Sequence, residues 1–535
     1  MVVTSAMPLP MIAPIIATIS PGSREEGRLA VRGRDLHADL VLDVGAVVVG
    51  TGAGGSIALR ELARAGIDVV GIEEGGYHTA ADFNQREEQM LALLFQDMAG
   101  RTTDDLAIRI LQGRGVGGST IHNTNLCKRI PDAILTSWSE QFGLHDLRPE
   151  AFAPSFERIE AELGVSEIPA SDRNANNEVL RIGTEKLGWR GGPLQHNRMG
   201  CQRSGFCELG CAYDAKQNAL KVVLPQAVAA GARLYADVKA TRITLDHGRA
   251  SGIEGVALGQ DGETIANVRI RARIVVLSGS ATGSAALALA SGLPDPHDQL
   301  GRGLHIHPAA VVAGVFDRVL ASYDGIPQSY ECTEHLSFEP GSDRRVWIVP
   351  AFAHPIATAS TLPGFGAAHM RAMRDYGKLA VLTALVHDET EGQVLLGDAG
   401  RPQIRYTLGE SDRTQLAKGL VASARILFAA GAKEVVVPAV FPIRMRSVRE
   451  LDRLDPSFVR PHNLPLSAVH PMGSMRLGSD PRRSVVDPTG EHHHVRGLFV
   501  ADGSLFPTSI GGPPQIGIYA LALHLSRHII ARAKS

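Results

Sequence analysis

Ala46-Val47-Val48-Val49-Gly50-Thr51-Gly52-Ala53-Gly54-Gly55 decides the fold of this chain. A run of apolar β-formers enters a glycine-rich turn. From Ser56 to about Ala65 the apolar residues then recur at helical spacing, and Gly66 stops them. A second apolar strand, Val69-Val70-Gly71-Ile72, follows and ends in Glu73. Gly50-x-Gly52-x-x-Gly55 between strand and helix is a dinucleotide-binding fingerprint. Gly50 permits the tight turn, Gly52 lets backbone approach a pyrophosphate, and Gly55 allows close helix–strand packing. The anion is expected on the helix N-terminus, where free N–H groups and the dipole favour it. Glu73 stands where a carboxylate accepts from a ribose hydroxyl. The fingerprint alone does not separate NAD from FAD.

A length of 535 residues calls for two or more domains, and 44% hydrophobic residues suffice for a large core. A net charge of -2 argues against nucleic acid or an anionic membrane as main partner, since both need a basic field. The five cysteines, three of them close together, make no secreted disulfide framework. They fit a reducing, cytoplasmic setting or a metal site better. Met1 to Pro21 is apolar but broken by Pro8, Pro10, Pro14 and Pro21 and lacks a basic start. It is a poor signal peptide and a poor spanning helix, so 1–40 reads as an N-terminal extension. No transmembrane run is found elsewhere. Neither G-x-S-x-G nor H-E-x-x-H occurs, which disfavours a hydrolase.

Further along, 144–163 and 415–430 read as helices, and 220–230 as partly helical with a boundary at Pro225. Short strands are expected near 240–243, 252–258, 274–277 and 498–501, and a closing helix over 516–533. Between 305 and 438 the texture turns to short apolar segments, with a hairpin over 392–408 turning at Asp398-Ala399-Gly400. The expected fold class is α/β, a Rossmann-like FAD-binding domain with an inserted antiparallel-sheet substrate domain. The nucleotide-binding parts are 41–150, 215–304 and 466–535. A cysteine-containing segment occupies 151–214, and the substrate domain 305–465.

The choice of FAD rests on a resemblance. Gly113-Arg114-Gly115-Val116-Gly117-Gly118-Ser119-Thr120-Ile121-His122-Asn123 resembles the glycine loop of the glucose–methanol–choline (GMC) oxidoreductases. His470-Pro471-Met472-Gly473-Ser474-Met475-Arg476-Leu477-Gly478 resembles their active-site histidine segment. The likeness runs from about residue 45 to 530. It implies oxidation of a primary or secondary alcohol by hydride transfer to flavin N5, with His470 as base. It also implies oxygen or an electron-acceptor partner. The resemblance places Gly113, Gly117 and Gly118 along the flavin and pyrophosphate and Asn123 on the isoalloxazine ring. It offers His122 as a covalent tether to the flavin. Asp502, followed by Gly503, ends a strand as the ribityl ligand does in many flavoproteins. The closing helix after Pro514 would aim its N-terminus at the flavin's pyrimidine edge, where it stabilises charge on the reduced ring.

One departure stands out. The family usually has a second His or Asn where this chain has Pro513, and proline has no donor. Gln515 is the expected substitute, with Ser509, His305 and His307 as further candidates. This gap keeps a non-redox lyase open as an alternative. Cys201, Cys207 and Cys211 look like the three-cysteine segment that holds an iron–sulfur cluster in membrane-associated GMC dehydrogenases. On that reading the chain is an electron-transfer dehydrogenase subunit. A zinc-like, disulfide-bonded or merely packed loop is the alternative. His492-His493-His494 reads as a solvated turn.

Overall fold

A computed structural model describes residues 29–535; the proline-broken start, Met1 to Pro21, lies outside the described residues. The fingerprint strand Leu40–Val49 lies inside an eight-stranded sheet. On one side run Val69–Ile72, Arg233–Ala236 and the edge strand Val31–Arg32; on the other runs Thr264–Leu277. All these neighbours are parallel. Leu498–Val500 adds to Thr264–Leu277, also in parallel. Buried on both faces near the shared edge, Ala46–Val48, Val69–Ile72 and Ile274–Leu277 read as unbroken apolar runs, while the first part of Thr264–Leu277 alternates. The expected strands near 240 and 252 form Val238–Asp246 and Arg249–Leu258, antiparallel to each other and to Thr264–Leu277. Val31–Arg32 falls within the stretch read as an extension, yet it pairs with Tyr235 and Ala236.

Register gathers the strand ends. Val49 lies opposite both Ile72 and Leu277, and Leu277 lies opposite Val500. Thr51, Glu73, Ser278 and Asp502 therefore emerge at one carboxyl edge, where open α/β sheets bind ligands. Helix Ala53–Arg64 starts there. A Cβ on Gly54 would collide with the Ala501 carbonyl, so only glycine fits at that approach.

The insert forms a second sheet in the order Ile443–Met445, Glu434–Val437, Ala309–Val315, Leu379–Val386, Val346–Pro350, Tyr330–Cys332, Gly191–Pro193. Its neighbours are antiparallel. Helix Glu410–Ala429 covers one face; it begins before the expected 415 because Gly409 caps it and Glu410 and Asp412 suit its first turn. The hairpin Gly392–Leu396 with Pro402–Arg405 is present, but it pairs with Arg302–Leu304 in a separate three-stranded sheet. The closing helix is Gln515–Lys534. Two short strands stitch the halves together: Leu466–Ala468 pairs with Ile108–Ile110 and touches Ala309. His470 follows that seam by two residues.

The turn after Leu379–Val386 is pinned by a buried ion pair. Asp412 accepts from Arg345 at 2.6 Å and from the amides of Glu389 and Thr390 at 3.1 and 2.8 Å. Removing one partner of such a pair strands the other charge, at about 3–5 kcal/mol. Asp412→Ala should lower the thermal unfolding midpoint clearly. The double variant Asp412→Leu/Arg345→Met should lose less, and melting curves of the three proteins check this.

Candidate active site

The two glycine loops meet back to back. A Cβ on Gly118 would stand 2.8 Å from the Gly52 Cα, while one on Gly52 would meet only the Gly118 Cα, at 3.8 Å. That leaves an open cradle at the N-terminus of Ala53–Arg64, whose first turn carries no acid and whose cap is no side chain. The arrangement suits a pyrophosphate. The Thr51 hydroxyl joins the loops, donating to Glu73 Oε2 at 3.0 Å and accepting from the Gly117 amide at 3.1 Å. Glu73 also accepts from the Thr51 and Gly75 amides, and burial pushes its carboxyl up to about 7. Asp502 is buried and accepts from Ser284 at 2.6 Å and from the Ser504 amide at 2.9 Å; burial raises it. Gly503 passes its carbonyl to the Gly473 amide, so the Asp502 and His470 segments lie side by side. The cradle, Glu73 and Asp502 together fit an adenine dinucleotide.

His122 and Asn123 follow the second loop. His122 is buried, its ring 4.0 Å from that of Phe95, and its Nε2 has no hydrogen-bond partner. Burial, reinforced by the Lys216 charge, pushes it down to about 3. Lys216 was not legible as a site residue. Its buried ammonium donates to the carbonyls of Ile121 (2.8 Å), Asn123 (2.5 Å) and Cys207 (2.8 Å), clamping the backbone on both sides of His122. Burial draws its pKa down to about 8.

The structure ties Gln515 to Asn123 rather than leaving it free for a substrate. Its Oε1 accepts from Asn123 Nδ2 at 2.7 Å, and its Nε2 donates to the Leu126 carbonyl at 2.7 Å. The group beside His470 is His307. Their Nδ1 atoms are 3.2 Å apart, with the rings nearly perpendicular. His307 Nε2 meets the Ser509 hydroxyl at 2.8 Å and accepts from the Gly511 amide at 3.0 Å. Asp388 backs this segment, accepting from the Ile306 and His307 amides (2.9 and 3.3 Å) and from the Tyr406 hydroxyl (2.8 Å). Burial alone would raise Asp388, but the His305 ring 3.7 Å away, with His307 and the Ile306 amide, holds it below the usual carboxylate range. His305 serves as a clip, exchanging backbone bonds with Met472 at 2.8 Å.

Half-buried His470 is drawn down to about 4 by desolvation, against the charge of Asp388, and burial takes His307 well below its ordinary value. Both rings are therefore neutral at pH 7. The Gly511 N–H can only donate, so His307 carries its proton on Nδ1 and gives it to Nδ1 of His470. His470 at rest then holds its own proton on Nε2.

Two expectations are corrected. Cys201, Cys207 and Cys211 line one narrow cavity with Arg198 and Phe206, yet the described residues contain no group of three or more His, Cys, Asp or Glu that converges on a metal ion. Cys201 accepts from the Arg203 amide and Cys211 from the Ala215 amide, at 3.4 and 3.3 Å, while burial raises the Cys207 thiol. The segment is not assembled as a metal centre. His492-His493-His494 is not a solvated turn, because His492 is buried and His493 meets Ser484 at 2.9 Å.

A dinucleotide cradle facing a histidine pair across two stitched sheets defines a flavoprotein oxidoreductase. Models of the N- and C-terminal parts of the GMC oxidoreductases match residues 45–309 and 388–522. The chain belongs to the GMC oxidoreductases, an FAD-binding family, and is an oxidoreductase acting on CH–OH groups. It is 34% identical to an uncharacterised GMC-type oxidoreductase of Mycobacterium tuberculosis (strain H37Rv) over 91% of this chain and 76% of that one. It is 30% identical to a long-chain-alcohol oxidase of Arabidopsis thaliana over 91% of this chain and 67% of that one. Among solved structures, pyridoxine 4-oxidase from Mesorbium loti superposes with a TM-score of 0.68 at 18% identity, covering 91% of this chain and 99% of that one. No helix among the described residues is long and apolar enough to cross a membrane.

A histidine with a depressed pKa stays unprotonated as pH falls through 6.5 and gains its proton only near its folded value. The acid limb of kcat/KM should therefore lie near pH 4 to 5. Stopped-flow flavin reduction across pH checks this, and a limb at 6.5 would show a solvated His470.

Proposed function

We propose that this protein oxidises the terminal CH–OH of a long-chain alcohol and passes the electrons to oxygen. FAD, when bound, is the hydride acceptor. The observation that carries the reading is the neutral His470–His307 pair, held beside the Asp502 segment and under the apolar face of the second sheet. The alcohol's class follows the long-chain-alcohol oxidases of Arabidopsis thaliana, 28–30% identical to this chain.

The hydroxyl proton is His470's task. No protein group bonds to its Nε2 among the described residues, so that atom is left for a substrate oxygen. At rest it offers N–H, which orients the alcohol by donation. Acting as base requires the opposite tautomer. His470 Nδ1–H then donates to His307 Nδ1, and His307 Nε2–H donates to the Ser509 hydroxyl, the one neighbour able to accept it. Ser509 and Gly511 thus select the two states of one chain. The pair takes the place of the donor that Pro513 cannot supply.

Anaerobic addition of primary alcohols of rising length should bleach the flavin, fastest with the longer chains. His470→Ala should slow that step by about 10²–10⁴-fold. Ser509→Ala should lower kcat by about tenfold or more with little change in KM, because it removes only the base-competent tautomer. No bleaching by any alcohol would end the reading.

His122 supports a covalent flavin. Burial keeps the ring neutral, Nε2 is unpartnered, and Lys216 fixes the backbone beside it. Acid-precipitated protein should stay yellow, and His122→Ala should release its flavin to the supernatant while Lys216→Met weakens the attachment. A colourless pellet from wild type would make the flavin noncovalent.

A further inference from the structure

Between strands Val346–Pro350 and Leu379–Val386 the chain leaves the second sheet and builds two short helices, Pro355–Thr361 and Ala367–Arg374, closed by a turn over Tyr376–Lys378. The second helix buries none of its residues. Phe365, set between Gly364 and Gly366, is 94% exposed; Met370 is 58% exposed and Ile356 48%. Val319, 68% exposed, lies at the base of the hairpin beside Gly377. Arg371 and Arg374 project from the same helix and form no ion pair among the described residues, whereas nearby Asp375 is taken by Lys378 at 2.9 Å. Apolar tips beside unpaired cations match the interface of an anionic bilayer, which accepts the tips among its acyl chains and the cations among its headgroups. The chain's net charge is near zero, so this attraction is local.

What lies beneath the hairpin gives it a purpose. Leu362 and Tyr376 pack on a cluster of Ala313, Ala353, Leu379 and Val381. Strand Leu379–Val386 starts at that cluster and ends at His387-Asp388. At a rise near 3.3 Å per residue it spans about 26 Å. Leu379, Val381, Thr383 and Leu385 share one of its faces, and Leu385 belongs to a second apolar cluster with Trp347, Val349 and Ala309. Phe338 packs on that second cluster, its ring 5.4 Å from that of His387, and His387 Nε2 meets the carbonyl of Ser509 at 3.2 Å. Ser509 is the residue that holds His307. Packed apolar side chains, interrupted by Thr383, thus connect the base of the exposed hairpin with the surroundings of the histidine pair.

We propose that residues 355–378 dock on an anionic lipid surface and that a long apolar alcohol drawn from it reaches His470 on the side of the second sheet that carries Leu379, Val381 and Leu385. The identity of the cargo rests on the alcohol reading; the docking does not. The test is co-flotation of the holoprotein with vesicles of phosphatidylcholine, alone or mixed with phosphatidylglycerol. Wild type should float with the mixed vesicles and far less with phosphatidylcholine alone. Phe365→Ser/Met370→Ser should lower partitioning at least ~10-fold by removing buried apolar area. Arg371→Gln/Arg374→Gln should lower it roughly 30-fold on the mixed vesicles only. Both variants should keep their flavin and their rate on a short soluble alcohol, since every changed position is exposed. Wild type that stays at the bottom of the gradient overturns the proposal, as does a Phe365→Ser/Met370→Ser protein that floats like wild type. Equal flotation on both vesicle types overturns the anionic part. If no alcohol reduces the flavin, the functional reading fails while the flotation result stands.

Discussion

At the carboxyl edge of the first sheet, three backbones from distant parts of the chain come together where no side chain fits. The Ala501 carbonyl accepts from the Ser278 hydroxyl at 2.7 Å and occupies the space a Cβ on Gly54 would need. The amides of Ser278 and Ala501 extend the parallel ladder, bonding to Val49 and Leu277 at 2.7 and 2.8 Å. This contact locks the start, middle and end of the chain into one edge. Glu73, the Gly118 loop and Asp502 come together because that edge is common to them. A methyl group at Gly54 would force apart the segment that carries Asp502 and, through the Gly503–Gly473 bond, the one that carries His470.

The second constraint is the seam between the sheets. Leu466–Ala468 lies on Ile108–Ile110 and against Ala309, so the chain leaving the seam toward His470 and the chain entering it from His307 run side by side. His305 and Met472 then exchange backbone bonds and fix the distance between the two histidines. Asp388 and Tyr406 anchor the His307 side from within the insert. Neither domain alone holds the pair, and the Arg345–Asp412 ion pair reaches the site's edge through Arg345, which donates to the His387 carbonyl at 2.6 Å.

What the sequence revealed divides along the same lines. The fingerprint, Glu73, the Gly113–Asn123 loop and His470 are local patterns, whose meaning lies in neighbours a few residues away. Lys216 carries no local mark, and His307 stands only among the further candidates for the missing donor. His307 lies 163 residues from its partner, and its role comes from Gly511, Ser509 and Asp388 together. The Gln515 reading went astray for a related reason. Its position at the start of the closing helix fits the resemblance, but its amide is bonded to Asn123 and Leu126. The cysteine spacing was legible, but spacing does not fix where thiols point, and here two of them accept from nearby amides on their own loop. The Val31–Arg32 strand escaped notice because two residues make no pattern.

Pro513 leaves no side-chain donor at that position, and the proposed reading supplies one from the His307–His470 pair instead. Ser509-Ile510-Gly511-Gly512-Pro513-Pro514 enters the closing helix, and Pro513 and Pro514 fix φ just ahead of Gln515. A stiffened entry holds the Ser509 hydroxyl and the Gly511 amide against one ring nitrogen of His307. Two partners of opposite character there, one that only donates and one that can accept, make the ring's tautomer adjustable. A lone Asn at position 513 would bond a substrate oxygen directly, whereas in the proposed reading His307 acts through His470. The proton of an alcohol then goes to Nε2 of His470, and the cation this makes is stabilised by donation from His470 Nδ1–H to Nδ1 of His307.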